Sequence, residues 1–202
     1  MPDVRGEKIL LFGDSLSSGQ LSPGWFLAQH LGGAKEVRVN ARVGRSANNF
    51  WAREDAPAQL RQAIGWDPTL VIIELGTNDI GLSMSIDGQK MREIKDALGQ
   101  NGAEVWAFGP PAFPTGTKQH NGSAEVVQMM RQVFGPRFID LRPITADLLS
   151  SAHRTSDKVH FTAAGAKLAG ERMARSFREA SDGGGDLGLA AIAAVALYLI
   201  FR

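Results

Sequence analysis

Short apolar runs, several rich in β-branched residues, recur along the chain at Ile9 to Phe12, Val37 to Val39, Leu70 to Leu75, Val105 to Phe108 and Phe138 to Ile139. Each is short enough for a strand buried on both faces. Between and after them, apolar positions fall at helical spacing near Trp25 to Leu31, Ala56 to Ile64, Met91 to Leu98, Val126 to Phe134 and Ala163 to Ala180. Strand and helix therefore alternate, which predicts an α/β domain with a parallel five-stranded sheet and helices on both sides.

Open sheets of this kind bind ligands beyond the carboxyl ends of their strands, and the polar motifs of the chain fall there. Ser15 follows the first strand in Gly13-Asp14-Ser15-Leu16, Gly44 follows the second, and Asn78 follows the third in Gly76-Thr77-Asn78-Asp79. His160, in Asp157-Lys158-Val159-His160, precedes the last helix, for which Thr162 is the expected N-cap. After the fourth strand, Pro110-Pro111-Ala112-Phe113-Pro114 can continue neither as sheet interior nor as helix and is read as a stiff wall of the cleft.

These residue types fit nucleophilic acyl chemistry. A serine hydroxyl attacks an acyl carbon poorly at neutral pH and needs a base to take its proton. His160 is the candidate, because imidazole changes charge near neutrality. Asp157, three residues upstream, can meet it across one turn and fix its tautomer; capping of the final helix is the alternative role for that carboxylate. The backbone N–H groups of Ser15 and Gly44 and the side-chain amide of Asn78 suit an oxyanion hole, since glycine leaves the backbone open and an amide donates without charge. Asp14 and Asp79 are read as organisers of their loops.

A lone Gly-Asp-Ser is commonly just a turn, but four blocks in order are a pattern. The blocks FGDSLSSG, NARVGRS, ELGTND and DKVHFTAAG resemble those of the SGNH hydrolase superfamily, also called GDSL esterases and lipases, over roughly residues 7 to 180. The resemblance implies a flavodoxin-like three-layer α/β/α sandwich and ester hydrolysis through an acyl-enzyme. It further implies a Ser15–His160–Asp157 triad, an oxyanion hole of Ser15, Gly44 and Asn78, and neither a metal nor an organic cofactor. It leaves the substrate open among lysophospholipids, thioesters, aryl esters and acetylated carbohydrates. A short ester, such as acetyl on carbohydrate, is the expected substrate, because little sequence is left over for a lid or a long acyl tunnel.

Charge and composition narrow the partners. With 22 Lys and Arg against 21 Asp and Glu, the formal charge of +1 gives no field that would draw a nucleic acid. No cysteine is present, so disulfides and thiolate chemistry are excluded. No G-x-x-x-x-G-K-[ST] string occurs, and His30, His120 and His153 have no partners at metal-ligand spacing. Asn121-Gly122-Ser123 reads as a loop.

The polar amino terminus is not expected to be a secretory leader, which makes the cytoplasm, free or at a membrane facing it, the expected location, with a virion as the alternative. At the other end, Gly183-Gly184-Gly185 suggests a hinge over residues 182–186 between a hydrolase domain of residues 1–181 and a tail of residues 187–202. Leu187 to Phe201 carries no charge and is expected to form an apolar helix. At fifteen residues it would reach about 22 Å, short of the roughly 30 Å hydrocarbon core. The expectation is therefore membrane insertion, with Arg172, Arg175 and Arg178 keeping the domain on the cytoplasmic side, burial in an oligomer or a protein assembly such as a virion, or, against the glycine hinge, packing on its own domain. Three functions follow: a short-ester hydrolase, a lysophospholipase or thioesterase held at a membrane, and a structural assembly protein built on the same fold.

Overall fold

A computed structural model describes residues 6–51 and 55–182. Five strands, β1 (Lys8–Gly13), β2 (Glu36–Ala41), β3 (Leu70–Glu74), β4 (Glu104–Phe108) and β5 (Phe138–Ile139), form one sheet in the order β2-β1-β3-β4-β5. All pairings are parallel. Seven helices accompany them: α1 (Pro23–His30), α2 (Ala47–Trp51), α3 (Ala56–Gly65), α4 (Met84–Gly99), α5 (Lys118–Phe134), α6 (Leu141–Ile144) and α7 (Ala163–Asp182). The expected flavodoxin-like α/β/α sandwich is what the chain forms.

Alternate residues of each central strand serve opposite layers, which is why the runs are apolar throughout. Leu10, Phe12, Val71 and Ile73 pack with Phe50, Met91, Ile94 and Met130 from the layer that holds α2, α3, α4 and α5. Ile9, Leu11, Ile72 and Phe108 pack with Leu27, Leu31, Met173 and Phe177 of α1 and α7. The two helices of this second layer touch closely. A Cβ at Gly170 would lie 2.5 Å from the Phe26 Cβ and 2.7 Å from the Pro23 carbonyl.

Register sets the site. Gly13 at the end of β1 pairs with Ala41 of β2 and Glu74 of β3, so three strands finish level. Strand order reverses at β1, and sheets of this kind bind ligands beyond the strand ends at such a switch. Ser15, Gly44 and Asn78 lie two to four residues beyond those ends.

Some expectations change. Asn121-Gly122-Ser123 lies inside α5, whose N-cap is Thr117, with its side chain accepting from the His120 N–H. Gly122 serves packing there, since a Cβ would come 2.6 Å from Ile80 Cγ2. Membrane insertion, and with it a membrane-anchored localisation, is corrected: among the described residues no helix is long and apolar enough to cross a membrane. The longest, α7, is amphipathic and carries Lys167, Glu171, Arg172, Arg175, Arg178 and Glu179. Leu187 to Phe201, on which the membrane and assembly contacts rested, lies outside the described residues, as does the expected hinge beyond Asp182.

Candidate active site

β1 delivers Ser15 through a tight turn. The Asp14 carboxylate accepts the Leu16 N–H at 2.8 Å, and the Asp14 N–H donates to the Glu74 carbonyl at 3.2 Å. Side chains are short here for a reason: a Cβ at Gly13 would lie 2.5 Å from Ser17 Oγ.

His160 comes from the loop before α7. Arg154, buried, ties that loop down by donating to the carbonyls of Leu148 (3.1 Å), Val159 (2.5 Å) and Ala112 (2.6 Å), and its guanidinium stacks on Phe161. Burial lowers the Arg154 pKa to about 10. The Ala112 contact draws in the proline-rich segment after β4, whose Phe113 is buried. Thr162 caps α7 as expected, accepting the Gly165 N–H at 3.2 Å.

The three side chains named for catalysis meet. Ser15 Oγ lies 2.9 Å from His160 Nε2, and His160 Nδ1 lies 2.6 Å from Asp157 Oδ2. Asp157 also accepts from Thr155 Oγ1 (2.6 Å) and from the N–H groups of Val159 (2.9 Å) and His160 (3.0 Å). Desolvation raises its pKa, but these hydrogen bonds outweigh it and hold the carboxyl well below the usual range. With Nδ1–H given to a carboxylate, Nε2 is left as an acceptor facing the serine proton.

Gly44 takes the left-handed conformation, φ +73°, in open space. Asn78 sits in a short 3₁₀ turn, Thr77–Asp79, entered through Gly76 at φ +110°. Its Nδ2 donates to the Arg45 carbonyl at 3.0 Å and to Asp14 Oδ2 at 3.3 Å, which places it beside the residue after Gly44 and the one before Ser15. The N–H groups of Ser15 and Gly44 have no acceptor among the described residues.

Beneath the site lies a layer of buried acids, Asp14, Glu74, Asp79 and Asp87, of which Glu74 and Asp87 have no role assigned from the sequence. Asp79, expected to organise its loop, accepts from the Ala47 N–H at the start of α2 at 2.8 Å; its other oxygen and both of Asp87 are buried with no hydrogen-bond partner among the described residues. Burial, reinforced by the charge of Asp87, raises Asp79 to about 7. Glu74 accepts from Ser17 Oγ; burial and the charge of Asp14 push its pKa up to about 8. Burial likewise raises Asp14, to about 7, against the Leu16 N–H and the charges of His160 and Arg45. A carboxyl raised on folding keeps a proton that the unfolded chain releases, so its contribution falls as pH rises from the ordinary carboxylate range to about 8. Glu74→Gln, which keeps an acceptor for Ser17, is expected to flatten part of that slope. Thermal melts at pH 5 and pH 8 check it: the variant melts several degrees above wild type at pH 8 and close to it at pH 5. An unchanged pH slope would show that Glu74 does not carry the effect.

The remaining histidines stand apart: His30 beside Glu171 at 3.6 Å, His120 on the Phe113 carbonyl at 2.9 Å and His153 by Ser150 at 3.3 Å. Among the described residues, no group of three His, Cys, Asp or Glu is placed to hold a metal ion.

Solved structures share this arrangement of strands and helices. The lipase/acylhydrolase from Enterococcus faecalis superposes with a TM-score of 0.65 at 21% identity, covering 86% of this chain and 96% of its own. A catalytic mutant of an acetylxylan esterase from Geobacillus stearothermophilus gives 0.66 at 18%, over 86% and 94%. The psychrotrophic esterase from Pseudoalteromonas sp. gives 0.67 at 18%, over 88% and 100%. At these identities the likeness speaks for the fold. A search of the curated proteins finds no match. The sequence itself matches the GDSL-like lipase/acylhydrolase family over residues 11–168, most of the domain and all four motif blocks. The chain therefore belongs to that family within the SGNH hydrolase superfamily, and is a serine ester hydrolase that works through an acyl-enzyme.

Proposed function

We propose that Ser15 is the nucleophile of this esterase, His160 its base and acid, and Asp157 the group that orients His160. The observation that carries the reading is the unbroken chain of hydrogen bonds from Ser15 Oγ through His160 to Asp157, at 2.9 and 2.6 Å. His160 Nε2 takes the hydroxyl proton as Ser15 Oγ bonds to the acyl carbon, then returns it to the departing alcohol. Water repeats the sequence on the acyl-enzyme, releasing the acid and restoring the serine.

Negative charge on the carbonyl oxygen is taken by the N–H groups of Ser15 and Gly44 and the amide of Asn78. Both amide protons of Asn78 have acceptors at rest, and the longer bond, 3.3 Å to Asp14, is the one a substrate oxygen would displace.

The substrate class is a short acyl ester, with acetyl on a carbohydrate as the leading case. The similar acetylxylan esterase structure supports it, and so does the openness of the site. The His160 and Asp157 side chains are 41% and 50% exposed, whereas a long acyl chain would need an apolar enclosure. A p-nitrophenyl ester series from acetyl to decanoyl tests this. Specificity should peak at acetyl and fall with each added carbon, and a maximum beyond eight carbons would overturn it.

A further inference from the structure

Arg45, directly after Gly44, has the largest wholly buried side chain of the described residues, 1% exposed. Burying a guanidinium is costly unless its donors are satisfied in good geometry, so such a residue signals a task. Its planar fork reaches four acceptors among the described residues. Nη1 donates to the carbonyls of Gly13 (3.0 Å) and Asn40 (2.7 Å), and Nη2 to Asn40 Oδ1 (2.9 Å) and Gln59 Oε1 (2.6 Å). The plane also lies over the Phe12 ring, 4.2 Å from its centroid.

Three of these hydrogen bonds, to Gly13 and Asn40, fall on segments that lead into the site. Gly13 is the last residue of β1, two before Ser15, and Asn40 is next to last in β2, four before Gly44. The main-chain carbonyl of Arg45 accepts the Asn78 amide at 3.0 Å. One residue thus touches all three segments that carry the oxyanion donors. We propose that Arg45 is a positioning residue that sets the mutual spacing of the Ser15, Gly44 and Asn78 donors. The inference rests on the reading of the site given above.

Geometry rather than charge is the point. Lysine keeps the charge, but its compact ammonium has three donors and no planar fork, so it cannot span these acceptors. Methionine fills the space without donors. Both Arg45→Lys and Arg45→Met are expected to lower kcat on p-nitrophenyl acetate about 10²-fold, the scale of a displacement of about 1 Å at the reacting atoms. KM should stay within about threefold, because oxyanion contacts strengthen only in the transition state. The acid limb of the pH–kcat profile should keep its midpoint, since Ser15, His160 and Asp157 are untouched.

The test compares both variants with wild type and Ser15→Ala, counting active sites with a fluorophosphonate probe so that any unfolded fraction drops out. Should Arg45→Met fail to fold, Gln59→Leu, which removes one acceptor, carries the comparison with about a tenfold loss in kcat at unchanged KM. Wild-type kcat per titrated site in the folded variants, with only a lowered melting temperature, would reduce Arg45 to a packing residue and overturn the inference. Turnover by wild type that survives in Ser15→Ala would instead overturn the reading of the site, and this inference with it.

Discussion

Ser15→Ala is expected to lower turnover of p-nitrophenyl acetate by about 10⁴-fold or more while leaving the melting temperature within a few degrees of wild type. The size of the loss follows from how the group works. In the proposed triad His160 and Asp157 make one oxygen nucleophilic, and without that oxygen their hydrogen bonds activate nothing. What survives is binding and the oxyanion donors acting on a water, which accounts for a small residual rate. Stability should hold because Ser15 Oγ has His160 Nε2 as its side-chain partner and is half-buried, so alanine leaves no cavity and a ring nitrogen that water can reach. A fluorophosphonate probe read by intact mass gives the same answer without a substrate: one adduct on wild type, none on the variant. A loss smaller than about tenfold would move the nucleophile elsewhere.

The sheet, and the side chains that the structure brings together at its carboxyl end, were legible because each depends on local sequence. A strand buried on both faces must be apolar throughout, so the runs at Ile9, Leu70 and Val105 announced β1, β3 and β4. Ser15, Gly44, Asn78 and His160 lie in short motifs whose glycines and aspartates set their own turns, as Gly44 and Gly76 do with positive φ.

Arg45 stayed hidden because nothing near it in the chain tells of burial, and Glu74, inside a run that reads as a buried strand, because nothing local shows what its carboxyl faces. The acceptors that make Arg45 tolerable include Gly13, 32 residues away, and Glu74 closes an apolar strand beneath an aspartate that only the fold brings near. A surface arginine and a buried one read alike until those partners are in place. The Asn121-Gly122 pair misled for the converse reason. Its local preference for a turn is real, but the close approach of Ile80 demands a residue without a side chain inside a helix.

Asp157→Asn is the sharper probe of the second assignment, because the carboxylate does two jobs with two oxygens. Oδ1 organises the turn, accepting from Thr155 Oγ1 and from the N–H groups of Val159 and His160, around Lys158 in the left-handed region at φ +62°. Oδ2 alone faces His160 Nδ1. Asparagine can keep its oxygen at the first position, which preserves the turn, and then presents an NH₂ to Nδ1. Two donors cannot share that contact, so the imidazole must turn its unprotonated nitrogen toward the amide and carry its proton on Nε2. Nε2 then points a proton at a hydroxyl whose proton it should accept. The expected result is a fall in kcat of about 10³ to 10⁴-fold at pH 7 with the fold intact. Asp157→Ala should lose stability as well as rate, because both oxygens go. The pair of variants, assayed for kcat and by thermal melt, separates the roles: if Asp157→Asn kept kcat within about tenfold, Asp157 would only be shaping the turn, and His160 would act without an orienting carboxylate.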